Sequence, residues 1–329
     1  MTDVGSTKAW GRIPLRRTKR GLSLAVLCAA AVLAIAACSS APKAPEAVFD
    51  AANKAAELSK LGDGFMAKRQ YSAALEYYRE ARAASSSVDD VGGVAAASSS
   101  EGRALLALGS ADEAQAEYEA SQDYAKMSGE AAALSRAQAG LGEAAFARGD
   151  LALALERFGE AVASAGAGSK ALAVALHDRG VAEAASGKLD EAISDYRAAE
   201  ASNLKEKRWA ELGANRYALA SALARSGKPE EAMRVALGAL EADKKAENAV
   251  SIPDDLAALA TLAETLGENA DAWNYWRRSF DAAEAGENTT AEKKALAALV
   301  RLADALGKDA DGKRYSATLE RVEDTKTGK

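Results

Sequence analysis

Small residues recur in this chain at intervals of about 40 residues, and this period constrains the fold more than any other feature. Seven positions share it, and we refer to them as the marker residues. The successive intervals are 40, 40, 38, 40, 40 and 40 residues. The marker residues are Ala74, Ala114, Ala154, Ala192, Ala232, Ala272 and Gly312. A fixed period of this length predicts a solenoid of stacked units, each of which contacts only its neighbours.

Three further positions recur at a fixed distance from the marker residues. Five residues before the marker stands a glycine in six of the seven units, and Arg69 replaces it in the first. Twelve residues before the marker stand Gly62, Gly102, Gly142, Gly180, Ala220, Ala260 and Val300. Four residues after the marker stand Tyr78, Tyr118, Phe158, Tyr196, Ala236, Trp276 and Ser316. Most units therefore combine a small residue with an aromatic one.

Each unit has the apolar spacing of two amphipathic helices. In the first unit the positions i, i+3, i+4 and i+7 of one helix are Leu58, Leu61, Gly62 and Phe65. The second helix has Tyr71, Ala74, Tyr78 and Ala81 on one face. Glycine inside a helix costs about 1 kcal/mol relative to alanine, so its recurrence predicts close helix contact with the aromatic ring alongside. The glycine between the helices suits the left-handed conformation just past a helix end.

The segments GDLALALERFGEA (149–161) and GKLDEAISDYRAA (187–199) carry these residues at the spacing of a known repeat. The chain resembles tetratricopeptide-repeat (TPR) proteins, which have a small residue in the first helix, a glycine at the turn, and alanine, aromatic and alanine in the second. The resemblance covers residues 46–323. Since TPR units usually have 34 residues, each unit here has about six more. We expect them in loops at 85–93, 164–169 and 284–290 and in a long helix at 205–226.

The resemblance implies an all-α fold, a right-handed superhelical solenoid of about seven helix-turn-helix repeats at 46–329. Repeats 1 to 7 occupy about 55–94, 95–134, 135–172, 173–212, 213–252, 253–292 and 293–329. Gly312 and Ser316 weaken the last helix, as is typical of a terminal repeat with a polar outer face. The aromatic residues at i, i+3 and i+7 of one helix indicate core packing rather than a binding site, and they are Trp273, Trp276 and Phe280.

Residues 1–37 have the organisation of an export signal. Five basic residues between Arg12 and Arg20 precede the apolar run Leu22–Ala37. This run of 16 residues is shorter than the roughly 20 that a membrane-spanning helix needs. The ending LAIAAC resembles the cleavage site of bacterial lipoproteins, which implies cleavage before Cys38, attachment of fatty acids such as palmitate to it, and a tether at 38–45. The alternatives are a plain cleaved signal, or an uncleaved anchor, with Cys38 incidental.

The charge and the cysteine content limit which partners and which cellular location are expected. Without residues 1–37 the chain has 36 basic and 47 acidic residues, a net charge of −11. This charge argues against nucleic acid and anionic lipid surfaces as partners, so the lipid on Cys38 is the expected membrane contact. Cys28 lies in the signal, so no disulfide is expected. Because Ser39 is not aspartate, the resemblance implies the periplasmic face of the outer membrane, or the outer face of the plasma membrane in a host with one membrane.

The sequence contains no arrangement typical of an enzyme or a metal site. His177 is the single histidine, which excludes H-E-x-x-H and multi-histidine zinc sites. No nucleophile elbow, P-loop or dinucleotide-binding motif occurs after residue 37. Adjacent carboxylates such as Asp254 and Asp255 lie at predicted helix starts, where negative charge complements the helix dipole. We therefore expect no catalysis and no cofactor.

The first helices of the repeats offer candidate binding residues. In TPR proteins the concave surface is lined by positions that lie here 18, 15, 11 and 8 residues before the marker. These positions lack the Lys and Asn pair with which some TPR proteins hold a peptide carboxylate. Small residues around Phe146, His177 and Tyr217 leave room for a bulky guest such as an amphipathic helix. The predicted binding residues are Arg103, Leu106, Arg136, Glu143, Phe146, Val174, His177, Val181 and Tyr217.

These features favour a non-catalytic scaffold or adaptor lipoprotein of the bacterial envelope, which binds a protein or peptide segment in its groove. The resemblance extends to repeat lipoproteins that assist pili, secretion channels, outer-membrane proteins or peptidoglycan enzymes. The alternative is a transport accessory that docks a periplasmic solute-binding protein, and a homo-oligomer is compatible with both. Two other hypotheses are an enzyme without recognisable motifs and a groove that is empty or filled by the chain's own termini.

Overall fold

The structure is a computed structural model that describes residues 46–324, of which those from Asp50 onward form one compact unit. The signal segment, Cys38 and the tether lie outside the described residues. Fourteen α-helices and no strand occur among residues 46–324. They are α1 (Glu46–Ala67), α2 (Tyr71–Ser86), α3 (Val91–Ala107), α4 (Ala111–Ser128), α5 (Ala131–Ala147), α6 (Leu151–Ser164), α7 (Lys170–Ala185), α8 (Leu189–Lys205), α9 (Trp209–Arg225), α10 (Pro229–Lys245), α11 (Ile252–Thr265), α12 (Asn269–Ala285), α13 (Thr289–Ala305) and α14 (Asp309–Asp324).

The helices form seven consecutive pairs, with odd-numbered first helices and even-numbered second helices. From α2 to α14 each helix packs against the next, and each first helix also contacts the first helix of the neighbouring repeat. Within the same range the backbones of second helices do not approach one another closely, and side chains alone link them. The first helices therefore form the inner layer of a curved array and the second helices the outer layer. This arrangement confirms the all-α superhelical solenoid.

The aromatic residue of each early repeat occupies the space beside a glycine. A Cβ atom added to Gly62 would lie 2.5 Å from Cε1 of Tyr78, and one added to Gly142 would lie 2.6 Å from Cε1 of Phe158. Both aromatic side chains are buried. The glycines therefore allow the ring to pack directly on the backbone of the first helix, as the recurrence of the two residue types predicts.

The turns within repeats use the left-handed backbone region. The six turn glycines have φ between 64° and 84°, and Arg69 takes the same region at 57°. A backbone hydrogen bond spans each turn, for example the 2.9 Å bond from the amide of Lys228 to the carbonyl of Leu223. This bond satisfies a carbonyl that the end of the helix would leave free. The prediction for these glycines is confirmed.

The extra residues of each repeat lengthen the helices more than the loops. The loops expected at 85–93 and 284–290 are reduced to 87–90 and 286–288, and only 165–169 matches its prediction closely. The helix ends stay packed because Ser85 and Ala283 are buried. The single helix predicted at 205–226 is wrong, since α8 ends at Lys205 and α9 begins at Trp209.

The last repeat closes the array with few buried groups. Tyr315 is the buried residue of α14, and its ring contacts Trp273 with 5.8 Å between centroids. Trp273 and Trp276 are themselves buried, which confirms their assignment to the core. Between residues 46 and 324, no helix combines the length and the apolar character needed to cross a membrane.

Candidate functional site

The inner layer contains a cavity of about 560 Å³ near the middle of the array. Its walls come from the first helices α5, α7, α9 and α11, with further residues from α8, α10 and the turn before α11. One side is apolar and one end is acidic. The lining residues are Phe146, His177, Val181, Ala184, Ala185, Tyr196, Ala214, Tyr217, Ala218, Ser221, Ala222, Arg225, Asp243, Ser251, Asp254 and Asp255.

Phe146, Val181 and Tyr217 form the apolar side of the cavity. Phe146 and Val181 are half-buried because they also pack against buried apolar residues of the core. These two side chains therefore belong partly to the core and partly to the cavity wall. Tyr217 is 40% exposed, and its ring is the large apolar surface most accessible to a guest.

A network of amides fixes the histidine in the cavity wall. Nδ2 of Asn203 donates to Oδ1 of Asn215, and Nδ2 of Asn215 lies 2.9 Å from Nδ1 of His177. Because the Asn215 amide nitrogen can only donate, Nδ1 of His177 accepts, and the neutral ring carries its proton on Nε2. Burial lowers the pKa of His177, which favours this neutral form. Arg208 completes the network with a 2.8 Å bond from Nε to Oδ1 of Asn203.

Three carboxylates form the acidic end, and they are Asp243, Asp254 and Asp255. Asp243 and Asp255 are each only 2% exposed, whereas Asp254 is exposed. Oδ1 of Asp243 accepts a 2.9 Å hydrogen bond from Nδ2 of Asn248, but Oδ2 of Asp255 has no donor among the described residues. Burial and the negative charge of Asp243 raise the pKa of Asp255 to about 8. At neutral pH the two buried carboxyl groups therefore hold a proton between them.

Local backbone features bring these carboxylates to the cavity. Gly213 in α9 makes room for Asp243, since an added Cβ would lie 2.5 Å from its Oδ1. Glu247 has φ 54° and closes the turn between α10 and α11. Asp254 and Asp255 then lie in the first turn of α11, as predicted. Asp255 is buried at this helix start, whereas its neighbour Asp254 is exposed. Among residues 46–324, no group of histidine, cysteine and acidic side chains has the arrangement of a metal site.

The sequence analysis missed Asn203, Asn215, Asp243 and Asp255, although the repeat phase contains a signal for them. The two asparagines lie 40 residues before the two aspartates, so both pairs occupy the same place at successive repeat junctions. At the next junction the same positions are small and buried, and the residues are Ala283 and Ala295. A polar pair where other repeats have buried alanine marks a specialised junction.

Four of the nine predicted binding residues line the cavity, and they are Phe146, His177, Val181 and Tyr217. Two of the others are engaged within the array. Arg103 Nη2 lies 2.7 Å from Asp63, and Glu143 accepts a 3.3 Å hydrogen bond from the hydroxyl of Tyr118. The residues outside the cavity lining and without such a bond are Leu106, Arg136 and Val174. A binding role for all nine stays a prediction.

No protein-family model and no curated protein sequence matches the chain. Solved structures do match its fold. A putative kinesin light chain from Podosopora anserina with nearly identical TPR-like repeats has a TM-score of 0.53 and 17% identity, over 61% of this chain and 99% of that one.

Two Rap structures match over more of this chain. The apo form of RapI has a TM-score of 0.66 and 13% identity, over 82% of this chain and 77% of that one. A Rap protein complexed with competence and sporulation factor has a TM-score of 0.55 and 14% identity, over 82% of this chain and 74% of that one. These similarities show that the chain has the fold of a TPR-like helical repeat protein.

Proposed function

We propose that this chain is a non-catalytic scaffold of the bacterial cell envelope that binds a protein or peptide segment of a partner in the inner cavity. The observation that supports this proposal is the accessible apolar side formed by Phe146, Val181 and Tyr217 in the inner layer. Large apolar side chains at an accessible surface are typical of interaction sites, and aromatic residues supply much of the binding energy there.

The size of the cavity limits what the partner inserts. Its volume of about 560 Å³ is in the range of pockets that hold a small ligand or a few side chains. We therefore propose that a short segment, or one face of a helix, places a few side chains in it. The Rap protein complexed with competence and sporulation factor supports partner binding by a chain of this fold.

We propose a location at the membrane through acylation of Cys38, on the periplasmic side of an outer membrane or outside a single membrane. The residues that support it are the basic segment, the short apolar run and the LAIAAC ending. A lipid anchor and a short tether would hold the array within reach of envelope proteins.

Site-specific photocrosslinking in the native envelope tests the function. A benzoylphenylalanine replaces Tyr217 in one variant and Tyr124 in a control variant. Tyr124 is a tyrosine of similar exposure, 37%, on the second helix α4. We expect a discrete crosslinked protein from position 217 and none from position 124. Mass spectrometry of the product separates an assembly partner from a solute-binding protein. Crosslinking from 124 alone would place the interaction on the outer layer and refute the proposal.

A further inference from the structure

The two buried aspartates of the cavity lack the counter-charge that two other buried carboxylates, those of Glu101 and Asp195, have. Glu101 is fully buried and pairs with Arg82 at 2.9 Å, and Asp195 pairs with Arg179 at 2.6 Å. Asp243 and Asp255 form no ion pair among the described residues, and the donor to Asp243 is the neutral amide of Asn248. The proton that the two carboxyl groups share neutralises one of them, but the remaining negative charge stays buried without a cation, which is unfavourable.

The preceding junction shows what is missing. There Arg208 donates to Asn203, and 40 residues later Asn248 donates to Asp243 in the same way. The chain therefore has a cation beside a neutral amide pair at one junction, and a neutral donor beside a pair of carboxylates at the next. The second arrangement leaves room for a cation that the chain itself does not supply.

No lining residue of the cavity fills that place. Arg225 is the cationic side chain among the lining residues, and its Nη2 donates to the backbone carbonyl of Ala184 at 2.8 Å. His177 is occupied by Asn215. Oδ2 of Asp255 is buried, belongs to a residue of the cavity wall and accepts from no other side chain among the described residues, so a guest cation that displaces the proton shared with Asp243 would find an acceptor there.

We propose that the acidic end of the cavity binds the ammonium or guanidinium group of a lysine or arginine side chain from the partner segment. This inference rests on the proposed function and specifies its ligand. The cation would lie against Asp243 and Asp255, with Asp254 at the exposed edge. The aliphatic stem of the side chain would pack on Tyr217 and Val181.

The shape of the site favours a side chain over a bare ion. The cavity volume of about 560 Å³ is far larger than an ion needs, and an apolar wall leads to the carboxylates. Burial raises the pKa of Tyr217, and the negative charges of Asp254 and Asp255 raise it further, which places this ring in the electric field of the acidic end. A long side chain with an apolar stem and a cationic tip matches both parts of the site.

Three matched peptides test the proposal on the acylated full chain in detergent. They are acetyl-Leu-Ala-X-Ala-Leu-amide with X as lysine, norleucine or glutamate, and their affinity is measured by saturation-transfer NMR. We expect the lysine peptide to bind about tenfold or more tightly than the norleucine peptide, and the glutamate peptide to bind weakest. 1,5-Diaminopentane is added as a competitor to test whether the site prefers a free diamine to a lysine side chain. Tighter binding of the diamine than of the lysine peptide would overturn the proposal.

Substitutions at the carboxylates complete the test. The double variant Asp243→Asn with Asp255→Asn reproduces the folded amide pair of Asn203 and Asn215, and we expect it to lose the preference for lysine. Asp309→Asn is the control, because it removes an exposed acid in the first turn of a helix that does not line the cavity. Equal binding of the lysine and norleucine peptides to the unsubstituted chain overturns the inference but leaves the apolar site. If none of the peptides binds and position 217 gives no crosslink, both the proposed function and this inference are overturned.

Discussion

Arg103 lies 2.7 Å from Asp63, so one ion pair joins two residues that are 40 positions apart in successive repeats. The same Nη2 donates to the hydroxyl of Tyr78 at 2.9 Å, and this hydroxyl donates to Asp63 at 2.7 Å. Near the other end of the array, Glu264 accepts from Trp276 and pairs with Arg301 in the same manner. Polar groups of the inner layer thus connect neighbouring repeats, and the aromatic residue that follows the marker by four positions takes part in both networks.

The pair of Arg103 and Asp63 is expected to contribute little to stability. Their side chains are 51% and 61% exposed, so water and salt screen the attraction. A double-mutant cycle with Arg103→Met and Asp63→Asn should give a coupling free energy of about 0.2–1 kcal/mol that decreases with added salt. Urea denaturation at two ionic strengths measures it. A coupling that salt leaves unchanged would show that the pair is shielded from solvent.

The contact between Gly142 and Phe158 predicts opposite effects for two glycine substitutions. Gly142→Ala places a Cβ 2.6 Å from the ring and should lower the free energy of unfolding by about 1–3 kcal/mol. Gly159→Ala is the matched control, because nothing lies within 4 Å of a Cβ at that helical position. It should raise stability by about 0.5–1 kcal/mol. Chemical denaturation measures the free energy of unfolding of both variants. Equal effects of the two substitutions would contradict the packing of the Phe158 ring on Gly142.

Asp255 predicts a pH dependence of stability. Its pKa rises from the ordinary 3.8 to about 8 on folding, because of burial and the charge of Asp243. The folded chain therefore keeps a proton that the unfolded chain releases, and the free energy of unfolding falls as pH rises through this window. Asp255→Asn removes this loss.

Thermal unfolding from pH 4 to pH 8 measures the effect of Asp255. The stability of Asp255→Asn relative to the unsubstituted chain should increase with pH over this range. Asp254→Asn, at the exposed neighbour, provides the control and should show a much smaller trend. A constant difference between Asp255→Asn and the unsubstituted chain would mean that Asp255 ionises normally in the folded state.

Cys38 predicts the membrane association. Cys38→Ala removes the proposed site of acylation and should shift the protein from the membrane to the soluble envelope fraction. Cys28→Ala changes the other cysteine, which lies within the proposed signal segment, and should leave the association intact. Fractionation together with incorporation of labelled palmitate measures both. Retention of Cys38→Ala at the membrane would exclude a lipid on this residue as the anchor.

The recurrence of residue types about every 40 positions predicts much of this fold and only part of the site. The contacts of Gly62 with Tyr78 and of Gly142 with Phe158 follow from it, because both partners recur in register within one unit. The pair of Asp243 and Asp255 does not follow from helix amphipathicity, since the two lie on different helices and charged residues near helix ends are usually solvated. The two residues also lie on opposite sides of the turn at 246–251, whose geometry the sequence pattern does not specify.

The separation of the second helices has a mechanical consequence. From α2 to α14 the backbones of successive second helices do not pack on one another, and only side chains link them, as in the pairs of Arg82 with Glu117 and of Arg197 with Glu231. The first helices, by contrast, pack directly on one another, so they form the pivot of bending between repeats. Bending that spreads the outer layer breaks only side-chain links, whereas bending that widens the inner face separates packed helices. The array is therefore most compliant in the direction that closes the cavity around a guest.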